Sequence, residues 1–357
     1  MPKIRTLVVE DSVSVRRHIV DTLAGHPEFD VIGEAEDGQR AMEMCRALRP
    51  DVVTLDIVMP QTDGVSAVEW IMAHCPTPIL VVSSSVERGE VFRTYDALAA
   101  GAIDVLEKPD GTEKDGEWEG KLIEALRLVS KIRAITHPRA RLSGFVPRNE
   151  RRAALLSNGA PVRSYRAVAI GASAGGPAAM LEIVSALAPE FPLPILLVIH
   201  IGKIFASPMA EWLGHHTALP VRCAQDGEAL PPPGQGCLLL AQPGAHLVLD
   251  EGRLRLDKGP ERNYCRPSVD VLFESMAAAL GELAIGCLLT GMGRDGARGL
   301  MAMRKSGSVT MAQDEASSIV FGMPKEAIEL GAAGMVLPLD RIAVKLTELA
   351  RSFGRQS

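Results

Sequence analysis

The chain has 357 residues, 47% of them hydrophobic, a formal charge of −6 and six cysteines. That length predicts two domains with sizeable cores. No apolar run approaches the ~20 residues of a membrane span, the N-terminus lacks a signal-peptide layout, and scattered cysteines without a C-x-x-C pair argue against a zinc site or a disulfide framework. The expectation is a cytoplasmic protein with reduced thiols and no membrane insertion.

The first 125 residues alternate short apolar strands with amphipathic helices. Strands are expected at Ile4–Val9, Phe29–Ala35, Val52–Leu55, Ile79–Val82 and Ile103–Leu106. Helices are expected at Val13–Ala24, Gln39–Leu48, Val65–His74, Glu87–Ala99 and Trp118–Lys131. Five β–α units imply a parallel sheet with helices on both faces. Residues 1–125 carry 24 acidic and 12 basic side chains, whereas residues 126–166 carry ten basic and one acidic. With Pro138, Pro147, Pro161 and Asn158-Gly159, residues 126–164 read as a basic flexible linker. They lack interleaved aromatics and any nucleic-acid-binding motif, so nucleic acid is not an expected partner.

Residues 165–357 read as a second, doubly wound α/β domain with a mainly parallel sheet. A strand reaches Ile170, a helix starts near Pro177 and an apolar run spans Ile195–Ile199. Short strands fill Val221–Leu256, with a small antiparallel patch. A helix follows at Val269–Leu280, then a strand at Ala284–Leu289 and a helix after Asp295.

In the first domain, Glu10 and Asp11 end the first strand and Asp56 ends the third. Neighbouring parallel strands bring these carboxylates to one sheet edge. Like charges ~4 Å apart repel by roughly 4 kcal/mol at an effective dielectric of 20. A divalent cation removes that objection, and oxygen ligands with open water positions suit Mg²⁺. Asp56 is then a candidate phosphoacceptor. Ser83 and Lys108, at the ends of the fourth and fifth strands, are placed to contact the phosphoryl group. Glu10-Asp11, Leu55-Asp56-Ile-Val-Met-Pro60, Ser83 and Lys108-Pro109 resemble the receiver domain of bacterial response regulators. The resemblance implies phosphoryl transfer to Asp56 from a histidine kinase. An aromatic often stands three residues before the lysine in that family; here it is Val105.

In the second domain, Gly171-Ala-Ser173-Ala-Gly175-Gly176 places a serine in G-x-S-x-G form on a strand-to-helix turn, where it is exposed near backbone N–H groups. A nucleophilic serine needs a base and an acid that holds the base. His200 ends the apolar run Ile195–Ile199 and emerges at the same sheet edge. His215 and His216 sit at a polar helix end, and His246 lies in a Pro-Gly turn region. Asp295 follows the strand Ala284–Leu289 in the loop Thr290-Gly-Met-Gly-Arg-Asp295-Gly296. Taken alone, Asp295 reads equally well as the N-cap of the next helix. Backbone N–H groups of Ala174 and Met292 are the candidate oxyanion donors. The order Ser, His, Asp differs from that of the α/β-hydrolases. A dinucleotide-binding turn is disfavoured because the spacing is not G-x-G-x-x-G.

Ile170-Gly-Ala-Ser173-Ala-Gly-Gly-Pro177, Val198-Ile-His200, Leu289-Thr-Gly-Met-Gly-Arg-Asp295-Gly and Ala312–Pro324 resemble the catalytic domain of the chemotaxis protein-glutamate methylesterases, the CheB family. This implies Ser173 as nucleophile, His200 as base and Asp295 as orienting acid. It implies γ-methyl esters of glutamate on methyl-accepting chemoreceptors as substrate, with deamidation of receptor glutamines. No cofactor is expected for the esterase step. Position 174 carries Thr in some members; Ala174 keeps only the N–H. Asp314 and Glu315 fall in the matched stretch without an assigned role. The alternative is a phosphorylation-dependent binding module with an inactive hydrolase fold.

Overall fold

A computed structural model describes residues 2–60, 62–84, 88–109, 114, 116–132 and 164–351. The N-terminal unit is a five-stranded parallel sheet in the order β2-β1-β3-β4-β5. Its strands are β1 (Ile4–Val9), β2 (Phe29–Ala35), β3 (Val52–Leu55), β4 (Ile79–Ser83) and β5 (Asp104–Glu107). The central strands are apolar almost throughout because helices cover both faces of the sheet. Those helices are α1 (Val13–Ala24), α2 (Gly38–Leu48), α3 (Gly64–His74), α4 (Arg88–Ala99) and α5 (Glu117–Val129). Asp37 and Asp63 cap α2 and α3 by accepting from Arg40 N and Ser66 N, both at 2.8 Å. Each such cap is worth about 1 kcal/mol.

Several boundaries shift from expectation by a residue or two. β4 ends at Ser83 rather than Val82, and β5 is Asp104–Glu107 rather than Ile103–Leu106. α2 and α3 each start one residue earlier, and α5 is Glu117–Val129 rather than Trp118–Lys131. The expected domain limit at residue 125 falls inside α5, which runs on to Val129. Most of the expected linker, residues 133–163, lies outside the described residues, as does Glu87.

The second unit has a seven-stranded sheet in the order β14-β13-β12-β6-β7-β9-β8, with every pairing parallel. It contains β6 (Ala167–Ala172), β7 (Pro194–Ile199), β8 (Val221–Cys223), β9 (Cys237–Leu240), β12 (Ala284–Leu288), β13 (Val309–Gln313) and β14 (Met335–Leu337). The antiparallel patch is the ribbon of β10 (His246–Asp250) and β11 (Arg253–Asp257). The helices are α6 (Gly176–Ala186), α7 (Lys203–Gly214), α8 (Val269–Leu280), α9 (Ala297–Lys305), α10 (Met323–Glu329) and α11 (Leu339–Ala350). From β6 the chain moves to β7 on one side and later returns to β12 on the other. The strand order therefore reverses at β6, where the loops diverge and a crevice opens at the strands' carboxyl ends.

The receiver-like unit packs on that carboxyl edge. Its α4 lies against α6 and α7. Trp212 Nε1 donates to Asp96 Oδ1 at 2.9 Å, and the Tyr95 hydroxyl donates to the Phe205 carbonyl. The Gly175 N–H donates to the Ile103 carbonyl at 3.3 Å. Ala174, Met292, Ile319 and Val320 share one apolar cluster with Ile103, Leu106 and Trp118.

Candidate active site

Ser173 and His200 directly follow the paired strand ends of β6 and β7, where Ala172 stands beside Ile199. The His200 N–H donates to the Ala172 carbonyl at 3.0 Å. The Ser173 N–H donates to the Thr290 carbonyl at 3.0 Å, which fixes the turn against the loop after β12. Gly291 must lack a side chain here. A Cβ would fall 2.7 Å from Ser173 Cβ and 2.3 Å from Met323 Sδ. Gly175 adopts φ +74°, the left-handed region that favours glycine, to turn the chain into α6.

His200 Nε2 bonds Asp295 Oδ2 at 3.0 Å, so Nδ1 is the nitrogen left for a proton transfer. No hydrogen bond joins Ser173 to His200 among the described residues; Nδ1 instead faces Cys265 Sγ at 3.8 Å. Burial pushes the His200 pKa down, but the hydrogen bond to Asp295 and the nearby Cys265 outweigh it and bring it to about 9.

Asp295 is buried and saturated. Oδ2 accepts from Val269 N at 2.7 Å as well as from His200. Oδ1 accepts from Ser268 Oγ at 2.7 Å and Asn263 Nδ2 at 2.9 Å. Burial raises its pKa, but the His200, Asn263 and Ser268 bonds outweigh it and leave it below the ordinary carboxylate value. Asp295 does cap a helix, though not the next one. Gly296 is the N-cap of α9, whereas Asp295 takes the first amides of α8. Ser268 has the sequence signature of an α8 cap but turns its hydroxyl to Asp295 instead.

Asn263, Cys265, Ser268, Thr290 and Gln313 escaped the sequence reading. Thr290 Oγ1 donates to the Ala174 carbonyl at 3.0 Å and accepts from Val320 N at 2.9 Å. Gln313 Oε1 accepts from Thr290 N at 2.8 Å. Asp314 closes the turn that follows, accepting from Ser317 N and Ser317 Oγ. His215 and His216 are exposed at the end of α7. His246 departs from expectation: it is buried at the start of β10, between the Pro260 carbonyl and Ser268 N. No described residue accepts from the N–H of Ala174 or Met292, and both residues are half-buried beneath the receiver-like unit.

In that unit the strand ends bring Glu10, Asp11 and Asp56 within 4.8 Å of one another. Lys108 Nζ lies 2.8 Å from Asp56 Oδ2 and 3.0 Å from Glu10 Oε1. One ammonium does not balance three carboxylates. Burial, and then the Asp56 charge, push the Glu10 pKa up to about 7 despite Lys108. Burial also holds the Asp56 carboxyl above its ordinary value. Glu10 Oε2 is buried with the Lys108 ammonium 2.9 Å away but completes no hydrogen bond. A cluster of hard oxygen donors with excess negative charge fits a Mg²⁺ ion. Ser83 is buried at the end of β4, beside this pocket.

Residues 168–346 match the CheB methylesterase family, and residues 6–114 match the response regulator receiver domain. A protein-glutamate methylesterase/protein-glutamine glutaminase of Anaeromyxobacter dehalogenans is 46% identical over 98% of this chain and 97% of its own length. One from Nitrosospira multiformis is 43% identical over 98% of each chain. The solved CheB methylesterase catalytic domain of Thermotoga maritima is 37% identical, covering 52% of this chain and 99% of its own, with a TM-score of 0.49. No described helix is long and apolar enough to cross a membrane. The chain belongs to the CheB methylesterase family and carries a response regulator receiver domain at its N-terminal end.

Proposed function

We propose that this chain hydrolyses γ-methyl esters of glutamate on chemoreceptors, and deamidates their glutamines, through Ser173 under the control of phosphorylation at Asp56. The observation that carries the reading is the His200–Asp295 bond at the strand-order reversal, beside Ser173. Asp295 holds Nε2, so His200 Nδ1 takes the Ser173 proton. Ser173 Oγ bonds to the carbonyl carbon, and the oxyanion is met by the N–H groups of Ala174 and Met292. One such donor lowers the barrier by about 3–4 kcal/mol. The imidazolium returns its proton to the leaving group, and methanol or ammonia departs. Water, deprotonated by His200, then hydrolyses the acyl-enzyme. Hydrogen bonds between nucleophile and base commonly tighten only on substrate binding, so the missing Ser173–His200 bond among the described residues does not bar His200 from this role.

In the receiver, Asp56 accepts a phosphoryl group from a histidine kinase. Ser83 and Lys108 contact its oxygens. Glu10, Asp11 and Asp56 would hold a Mg²⁺ ion, which when bound offsets the charge of the carboxylates and of the phosphoryl group. The receiver covers Ala174, Met292 and the Ser173 turn, so the unphosphorylated chain excludes a receptor helix. Phosphorylation weakens that packing. The relatives are enzymes by name, and nothing favours the binding-module alternative.

The test is methanol release from methylated receptor, with and without a small phosphodonor and Mg²⁺. Ser173→Ala should lose at least ~10³-fold in rate. Cys265→Ser should stay within about tenfold of the wild-type rate, because its thiol faces the base without being the nucleophile. A Ser173→Ala protein that keeps the wild-type rate overturns the reading, and a Cys265→Ser protein that alone loses it makes Cys265 the nucleophile.

A further inference from the structure

Ser83 in the phosphorylation pocket touches the interface helix directly. Thr94, buried on α4, places Oγ1 3.1 Å from Ser83 Oγ, to which it donates, and 3.0 Å from the Glu90 carbonyl of its own helix. A threonine hydroxyl has one proton and serves one of these acceptors at a time. Ser83 Oγ itself donates to the Ser84 carbonyl at 3.2 Å, and Ser84 Oγ donates to Glu90 Oε2 at 2.7 Å.

The two residues after Thr94 grip the catalytic domain. Tyr95 is buried, and its hydroxyl donates to the Phe205 carbonyl. Asp96 accepts from Trp212 Nε1 at 2.9 Å. Phe205 and Trp212 both belong to α7, which begins three residues after His200. Strand β5, Asp104-Val-Leu-Glu107, offers no aromatic ring to register a change at Ser83.

We propose that Thr94 is the positioning residue through which the state of Asp56 reaches the catalytic domain. With Asp56 unmodified, the Thr94 hydroxyl donates to Ser83 Oγ and ties α4 to β4. When the Ser83 side chain rotates so that Oγ swings away to a phosphoryl oxygen on Asp56, Thr94 loses that acceptor and falls back on the Glu90 carbonyl. The tie is lost, and Tyr95 and Asp96 loosen on α7. The inference rests on the regulatory reading above, with Asp56 as phosphoacceptor and the receiver as cover.

The test uses the full chain. Methanol release is measured with and without acetyl phosphate and Mg²⁺, and Asp56 phosphorylation is quantified separately. Thr94→Val should raise the basal rate and reduce the stimulation ratio about fivefold, the population shift that one net hydrogen bond supports. Its Asp56 phosphorylation should match wild type. Thr94→Ser, which keeps the hydroxyl, should keep the wild-type ratio. Tyr95→Phe should also raise the basal rate, because it cuts the path at α7. A folded Thr94→Val chain with the wild-type ratio overturns the proposal. If Thr94→Val fails to fold, a Tyr95→Phe chain with the wild-type ratio does so instead. A wild-type chain that ignores the phosphodonor removes the regulatory reading, and the proposal with it. A responsive wild type beside an equally responsive Thr94→Val removes the proposal alone.

Discussion

His200 sets the pH dependence of the site. Burial lowers its pKa, and Asp295 together with Cys265 more than restores it, to about 9. In the proposed mechanism His200 must be neutral to take the Ser173 proton. At low substrate the rate should therefore rise about tenfold per pH unit and level off above about 9. Asp295→Asn removes the charge that favours the imidazolium. Its profile should level off at lower pH, nearer the ordinary histidine value of 6.5, with a plateau lower by ~10⁴-fold. Paired pH–rate profiles of the two proteins check both statements. The same ion pair stabilises the fold: its contribution is full between the ordinary carboxylate value of 3.8 and pH 6.5, is lost as pH rises through about 9, and is lost again in acid as Asp295 protonates. Gly291 is the other residue with little latitude. Gly291→Ala drives a methyl into Met323 Sδ and Ser173 Cβ. Overpacking of this kind costs about 1–3 kcal/mol. Because one of the two neighbours is the proposed nucleophile, kcat should fall by more than the melting temperature alone predicts.

At the scale of elements, the site is assembled from strand ends and finished by one helix start. Asp295 joins the two by orienting His200 and capping α8. Ser268→Ala removes one donor to that carboxylate. It should cost about 1 kcal/mol in urea unfolding and let the Asp295 pKa rise toward its ordinary value. Much of this architecture was legible in the sequence. The spans of β1, β2, β3, α1 and α8 match expectation, because apolar runs bounded by Gly, Pro or acidic residues fix them locally. Ser173 and His200 were legible as the residues just beyond buried strands, and Asp295 as the acid in the glycine-rich loop between β12 and α9. Asn263 and Ser268 were not. They reach Asp295 across 32 and 27 residues, and no local period encodes such a contact. The helix α4 hid its second role for a related reason. Val91, Tyr95 and Leu98 read as one apolar face, and periodicity does not say whether such a face meets its own sheet or another domain.

At the scale of the molecule, two units share one crevice. Trp212→Phe deletes the bond to Asp96 while keeping most of the apolar contact. It should raise the basal rate of the unphosphorylated chain by a few-fold and leave the phosphorylated rate nearly unchanged, as measured by methanol release. The Gly175 N–H carries a further consequence. It is the amide next to Ala174, and the Ile103 carbonyl occupies it at 3.3 Å. The receiver thus presents a peptide carbonyl to the turn that a scissile carbonyl must approach. On the proposed reading it acts as a tethered competitive inhibitor, at the effective concentration on the order of millimolar that tethering typically confers. Abundant receptor should then displace it unaided. Phosphorylation should lower the apparent KM with little change in kcat, so its effect would be largest when methylated receptor is scarce.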